Sequence, residues 1–148
     1  MDTSAAIRAL PYLLLALSGE LVAGIQAGVA RGFDDIRPVH GFAFARIGSH
    51  GATTGALAEH LGVSKQAASQ LVEELIGKGY VERRPHPRDA RARLIVLTER
   101  GRACTRAADA AAADAVRPWI DALGEERFQS LVRDLARLDP GGPIRPSW

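Results

Sequence analysis

Apolar positions change period along this chain, and each change marks an element. From Ile7 to about Ala30, the residues Ile7, Leu10, Leu14, Leu17, Leu21 and Ile25 recur at threes and fours, the spacing that lines one face of an α-helix. Leu13, Leu15 and Val22 fall outside that stripe and spread the apolar surface over most of the girth. A terminal helix of that kind needs more partners than one small monomer offers, so an interface between two copies is expected there. Residues 32–38 form a connector, and Pro38 suits the first turn of a short helix reaching about Ile47, ended by Gly48 and Gly51. Thr53 is placed to cap a two-turn helix over 54–61. Gly62 breaks it, and Ser64 caps the next helix, which runs to about Lys78 and stops at Gly79. Leu57, Leu61, Ala68, Leu71, Val72, Leu75 and Ile76 supply a shared apolar seam. Two capped helices joined by a short turn containing glycine make a helix-turn-helix.

The period then shortens. Residues 80–84 and 93–97 are β-compatible, and the turn formers from Pro85 to Arg91 lie between them, so a hairpin with a basic tip, a wing, is expected. Thr98 caps a long Ala-rich helix to about Arg117, where Pro118 is expected to kink or restart it. Gly124 separates a last amphipathic helix carrying Phe128, Leu131, Leu135 and Leu138, and Asp139-Pro140-Gly141-Gly142-Pro143 ends it. The expected fold class is mainly α with a small β wing. A winged helix-turn-helix over 38–98 is flanked by N- and C-terminal dimerisation helices at 5–31 and 118–140. A linking helix covers 98–117, a flexible tail 141–148, and the whole of 1–148 is a single domain.

Composition adds less than the pattern does. The 148 residues are 47% hydrophobic, enough for one domain core. The one cysteine, Cys104, excludes a disulfide framework and a paired-Cys zinc site within the chain, and suits a reducing cytoplasm. His40, His50, His60 and His86 are dispersed, so neither a metal nor another cofactor is expected. Residues 10–17 (LPYLLLAL) are apolar, but Asp2, Glu20 and Gln26 argue against a cleaved signal, and no stretch is expected to span a membrane. Gly51 to Gly55 lacks the lysine of a P-loop and no G-x-S-x-G elbow occurs, so an enzyme is not expected.

Charge sharpens the picture. The net charge of +2 is unevenly spread, with four basic and four acidic residues before Thr53 and eight of each after Arg93. The whole excess lies in 53–93, and 83–93 holds five arginines against Asp89 alone. A local basic patch on an otherwise neutral chain is the footprint of a surface that meets phosphates, and double-stranded DNA is the expected partner. Opposite its apolar seam the second helix of the helix-turn-helix carries Lys65, Gln66, Ser69, Gln70 and Glu73. Gln pairs bidentately with adenine, Ser bonds several base edges, and Lys reaches guanine or a phosphate. Thr53, Thr54 and Ser64 at the helix starts complete the candidate DNA contacts, with Arg84, Arg88, Arg91 and Arg93 on the wing. Asp89 is expected to aim an arginine through a charge-assisted bond, so that it enters a narrow minor groove. A winged helix that binds only protein is the rival, and the arginine-rich tip argues against it.

The residues also resemble a known family. Leu57-Ala58-Glu59-His60-Leu61-Gly62-Val63-Ser64, Leu71-Val72-Glu73-Glu74-Leu75, Gly79-Tyr80-Val81-Glu82-Arg83, Asp89-Ala90-Arg91-Ala92-Arg93-Leu94 and Leu97-Thr98-Glu99-Arg100-Gly101 together resemble the signature of MarR-type regulators. The match runs from Thr53 to about Ala103. It implies an obligate homodimer built from the first helix and the last two. It also implies a regulator, usually a repressor, acting on a pseudo-palindromic operator and often released by a small aromatic acid or other lipophilic effector. By position, Asp89 and Arg91 match the family's wing aspartate and minor-groove arginine, and Lys65, Gln66, Ser69 and Gln70 its base-reading residues. Gln70 and Ala90 stand where the family often has a cation, which predicts modest affinity with a shallow salt dependence. Effector pockets in such dimers lie between dimerisation helices and winged domain, so Tyr12, His40, Phe44 and Trp119 are the candidate lining, with Arg46 able to pair with an acidic ligand. The family's peroxide sensors carry a cysteine near the amino terminus; this chain has none there, and Cys104 is expected to be a packing residue.

Overall fold

Polar caps set the helix boundaries. Asp2 accepts the Ala5 amide at 2.7 Å and starts α1 (Thr3–Ala30), ahead of the first position of the apolar stripe. This computed structural model describes residues 2–138, so the expected terminator at 139–143 and the tail at 141–148 lie outside the described residues. Pro38 begins α2 (Pro38–Ile47), and Thr53 caps α3 (Thr54–Leu61) by accepting the Ala56 amide at 3.1 Å. Gly62 ends α3 at φ 66, a left-handed conformation that costs glycine little, and Ser64 at once caps α4 (Lys65–Gly77). Strands β1 (Val81–Pro85) and β2 (Arg93–Leu97) pair antiparallel from Val81↔Leu97 to Pro85↔Arg93. Thr98 caps α5 (Glu99–Leu123), and α6 (Glu125–Leu138) follows Gly124.

Pro118 does not break α5. The helix runs through it to Leu123, although proline removes one backbone bond and crowds the preceding turn. Both Pro118 and Asp114, whose carbonyl loses its donor, are exposed, so water can satisfy that carbonyl.

The core joins the wing to the helices. Phe44, Ile47, Leu57, Leu61, Val72, Leu75, Tyr80 and Ile95 form one buried cluster. Ala52 and Ile95 exchange both backbone bonds, at 3.0 and 2.8 Å, and so pair the segment before α3 with β2 through an isolated antiparallel bridge. The preceding Gly51 has φ 80, and a Cβ there would stand 2.8 Å from the Ile95 oxygen, so only glycine fits. Small residues let α1 lie close on α5: a Cβ on Gly28 would come within 2.4 Å of the Ala111 Cβ.

The amino-terminal half of α1 is left bare. Ile7, Leu10, Leu13, Leu14 and Leu15 are 45–68% exposed. By length and composition α1 could cross a membrane, with mean hydropathy 1.7 over 18 residues. The expectation that no segment reaches such a span is therefore corrected, because Glu20 interrupts the apolar run too weakly to prevent it.

Candidate nucleic-acid interface

Burial orients α4. Ala68, Val72 and Leu75 are inside, and the helical period turns Lys65, Gln66, Gln70 and Glu73 outward, with Ser69 half-buried at the edge. The Ser64 hydroxyl accepts the Ala67 amide at 3.1 Å, as the Thr53 hydroxyl accepts that of Ala56; both are engaged as caps. Thr54 is half-buried in the first turn of α3. Glu73, which the sequence places on the exposed reading face, is bound by Arg83, whose proximity holds the carboxyl below its ordinary range. That pair ties α4 to the first wing strand.

Alternation along β1 sends neighbouring arginines to opposite sides. Arg83 faces α4, whereas Arg84 bonds Glu82 through Nε at 2.8 Å on the other face of the hairpin. Arg84 therefore stands apart from the recognition helix, although the sequence grouped it with the DNA contacts.

The wing tip is tied by its own backbone. The Arg88 amide donates to His86 Nδ1 at 3.1 Å and the Arg91 amide to Asp89 Oδ1 at 2.9 Å. The expected guanidinium bond to Asp89 is absent among the described residues. Its carboxylate closes an Asx-type turn instead, since the amide two residues on is nearer than any flexible guanidinium. Consequently, among the described residues, Arg88, Arg91 and Arg93 on the wing and Lys65 on α4 carry no ion pair, and all four are exposed. Four unneutralised cations thus lie on α4 and on the wing that Arg83 ties to it.

Behind α4 lies a network that sequence reasoning missed. His40 is fully buried; its Nδ1 accepts the Arg37 amide at 3.0 Å, which leaves Nε2 to face Glu74 at 3.3 Å. Burial pushes the imidazole below its usual pKa, with Glu74 opposing the shift. Glu74 also accepts Arg37 at 2.6 Å and Lys78 at 2.9 Å, and these bonds hold its carboxyl low. The buried Tyr80 hydroxyl donates to Asp35 and receives Arg100 at 3.0 Å, which places the connector between α1 and α2 against α5. Burial and Asp35 raise the phenol to about 12. Glu74 and Lys78, one turn apart on α4, were the available signal in sequence.

An apolar pocket of about 470 Å³ opens between α1, α2 and α5. Of the residues expected to line it, Phe44 does, alongside Ile25, Val29, Phe42 and Ala108. His40 lies in the polar network instead. Tyr12 is 76% exposed on the bare half of α1, and Trp119 is half-buried near the far end of α5; neither lines the pocket. Cys104 does line it, with its thiol pushed up to about 11 by burial.

Known proteins share this arrangement. The model of the MarR family matches residues 35–92. An uncharacterised HTH-type transcriptional regulator of Bacillus subtilis, YdgG, is 34% identical over 80 residues, 53% of this chain and 53% of the relative. The match thus spans about half the length of that curated relative. MarR of E. coli, in its apo form, superposes with a TM-score of 0.70 at 23% identity, covering 88% of this chain and 97% of that one. CouR of Rhodococcus jostii RHA1, crystallised with p-coumaroyl-CoA, gives 0.67 at 22% identity, over 86% and 89%. The fold is therefore shared over most of the chain, and the family-model match falls within its winged helix-turn-helix. Residues 35–92 are thus similar to the MarR family.

Proposed function

We propose that this chain is a sequence-specific transcriptional regulator, a repressor in its simplest form, that binds a pseudo-palindromic DNA operator as a homodimer in the cytoplasm. One observation carries the reading: the outward polar face of α4 and the wing tied to it through Arg83 and Glu73 together carry four exposed cations free of ion pairs, Lys65, Arg88, Arg91 and Arg93. In the major groove Lys65, Gln66, Ser69 and Gln70 would meet base edges, and Arg91 with Arg88 and Arg93 would meet the minor groove and backbone. Thr53, Thr54 and Ser64 would approach phosphates at the helix starts. Glu73 and Arg83 hold helix and wing in one register for that contact.

Dimerisation is supported by the apolar surface left on α1 and α6. On α6, Val132, Leu135 and Leu138 are 41–76% exposed, as is the amino-terminal half of α1. A second copy covers such a surface at less cost than water does. A membrane would cover α1 as well; a dimer that stays in the soluble fraction excludes that occupant. The pocket against Phe44 supports a lipophilic effector, the role for which CouR offers a precedent in its bound p-coumaroyl-CoA.

The test is selection from a random duplex library, followed by affinity at two salt concentrations. A pseudo-palindrome with half-sites about one helical turn apart is expected. Weak, sequence-independent binding alone would overturn the reading.

A further inference from the structure

A second cleft lies on the far side of the wing from α4. It has a volume of about 440 Å³, and its wall includes Arg84 from β1, Val96 and Leu97 from β2, Ser49 after α2, and Arg102 and Arg106 from α5. None of its lining residues is acidic. The acids that serve its arginines sit outside the lining: Glu82 holds Arg84, and Glu99 alone is shared between Arg102 at 3.1 Å and Arg106 at 3.0 Å. Three guanidiniums against two carboxylates leave one positive charge uncompensated. Arg102 is also fixed by donating Nη1 to the Leu97 carbonyl at 2.8 Å, so one donor of the cleft is held in place before any ligand arrives.

We infer that this cleft is a binding site for a small organic anion, a phosphate monoester or carboxylate joined to a compact apolar body. The anionic group would take the guanidiniums, whose paired N–H donors match the oxygens of either group. The body would cover Val96, whose side chain shares the Arg84 face of the hairpin, whereas the Leu97 side chain turns into the core and offers the cleft only its backbone. Such a ligand touches the hairpin and α5 at once, and it competes with Glu82 for Arg84. Occupancy therefore pins the wing to the long helix, from the side opposite the operator-reading face. The site is separate from the apolar pocket around Phe44, and the binding claim does not depend on the proposed operator.

The test uses the full chain titrated with phenyl phosphate and, separately, benzoate, by calorimetry and by NMR of the Val96 methyl groups. Saturable binding of at least one probe is expected, with shifts at those methyls. The choice between probes tells phosphate from carboxylate. Arg84→Gln and Arg106→Gln should each weaken binding about tenfold, while Arg31→Gln, outside the cleft, should not. The inference is overturned if neither probe saturates, if shifts gather around Phe44 instead, or if Arg31→Gln weakens binding as much as the others. It is also overturned if neither probe binds while Arg84→Gln lowers the salt slope of random-sequence DNA binding by about one. The cleft would then be a backbone contact.

Discussion

Replacing Gly101 by alanine should destabilise the protein, even though alanine is the better helix former. Gly101 is buried in the first turn of α5, where its amide donates to the capping Thr98 hydroxyl at 3.2 Å. A Cβ there would stand 2.2 Å from the Tyr80 carbonyl oxygen, and 3.1 and 3.3 Å from Leu97 side-chain carbons. Carbon and oxygen need about 1 Å more than that, so α5 or β1 must move. The oxygen cannot swing aside freely, because it accepts the Thr98 amide at 3.0 Å. Overpacking of this kind costs about 1–3 kcal/mol, against a helix-propensity gain of at most about 1 kcal/mol. The net is a loss of about 1–2 kcal/mol, or roughly 3–8 °C in Tm for a chain of this size. Gly77, exposed in the last turn of α4 with nothing within 4 Å of its would-be Cβ, is the control; the same substitution there should be neutral or slightly stabilising. Thermal and urea unfolding at matched protein concentration compare the two, since the midpoint of the proposed dimer would depend on concentration. If Gly101→Ala is as stable as Gly77→Ala, the close seat of α5 on the wing is not a constraint and the packing argument fails.

Three further outcomes are expected. Gln66→Ala should cost about 1–3 kcal/mol of operator affinity and relax specificity at one position. Arg91→Ala should weaken sites with a narrow A·T minor groove most and reduce the salt slope by about one, from a parent slope that is itself shallow; equal effects of both on random DNA would count against the assignment. Cys104, buried and with its thiol raised to about 11, should resist a thiol reagent in the native protein, and Cys104→Ser should respond to peroxide as the parent does; rapid labelling would contradict this. His40 has its pKa lowered by burial, so the folded protein holds the neutral ring while the unfolded chain takes up a proton first. Stability is then complete above about pH 6.5 and falls as the pH drops from there toward the folded value. Urea midpoints that do not fall over that interval, or that fall equally in a His40→Gln protein, would exclude the imidazole as the cause.

Local chemistry was legible in the sequence wherever one residue type answers one backbone need. Thr53, Ser64 and Thr98 cap their helices because a hydroxyl there meets free amides, and Gly62 sits at positive φ because other residues are strained there. Pro118 misled, because its backbone cost depends on whether the orphaned carbonyl reaches water, which only the fold decides. Asp89 misled for a related reason. The sequence shows an acid between arginines, and both an ion pair and a turn fit that spacing; the conformation of the tip chose the turn. The pocket was half-legible. Phe44 follows from helical phase, but Tyr12 and Trp119 were placed by aromatic character alone, and nothing local says that α1 runs past the pocket with Tyr12 facing outward.

The least legible feature is the one that holds α4 in place. Glu73 and Glu74 are neighbours on the helix, about 100° apart around its axis, so they reach different structures. Glu73 goes to Arg83 on the wing, and Glu74 goes to Arg37 and His40 on α2. With side chains 33–62% exposed, these carboxylates add little to folding free energy, since solvent screens the pairs. Their value lies in direction. Apolar contacts at Ala68, Val72 and Leu75 fix how deeply α4 sits but resist rotation about its axis weakly, whereas two bonds leaving at different angles oppose rotation in either sense. The proposed presentation of Lys65, Gln66 and Gln70 to base edges needs that constraint more than it needs stability. Arg37 also borders the apolar pocket, so one of the two restraints on α4 lies within reach of whatever fills it.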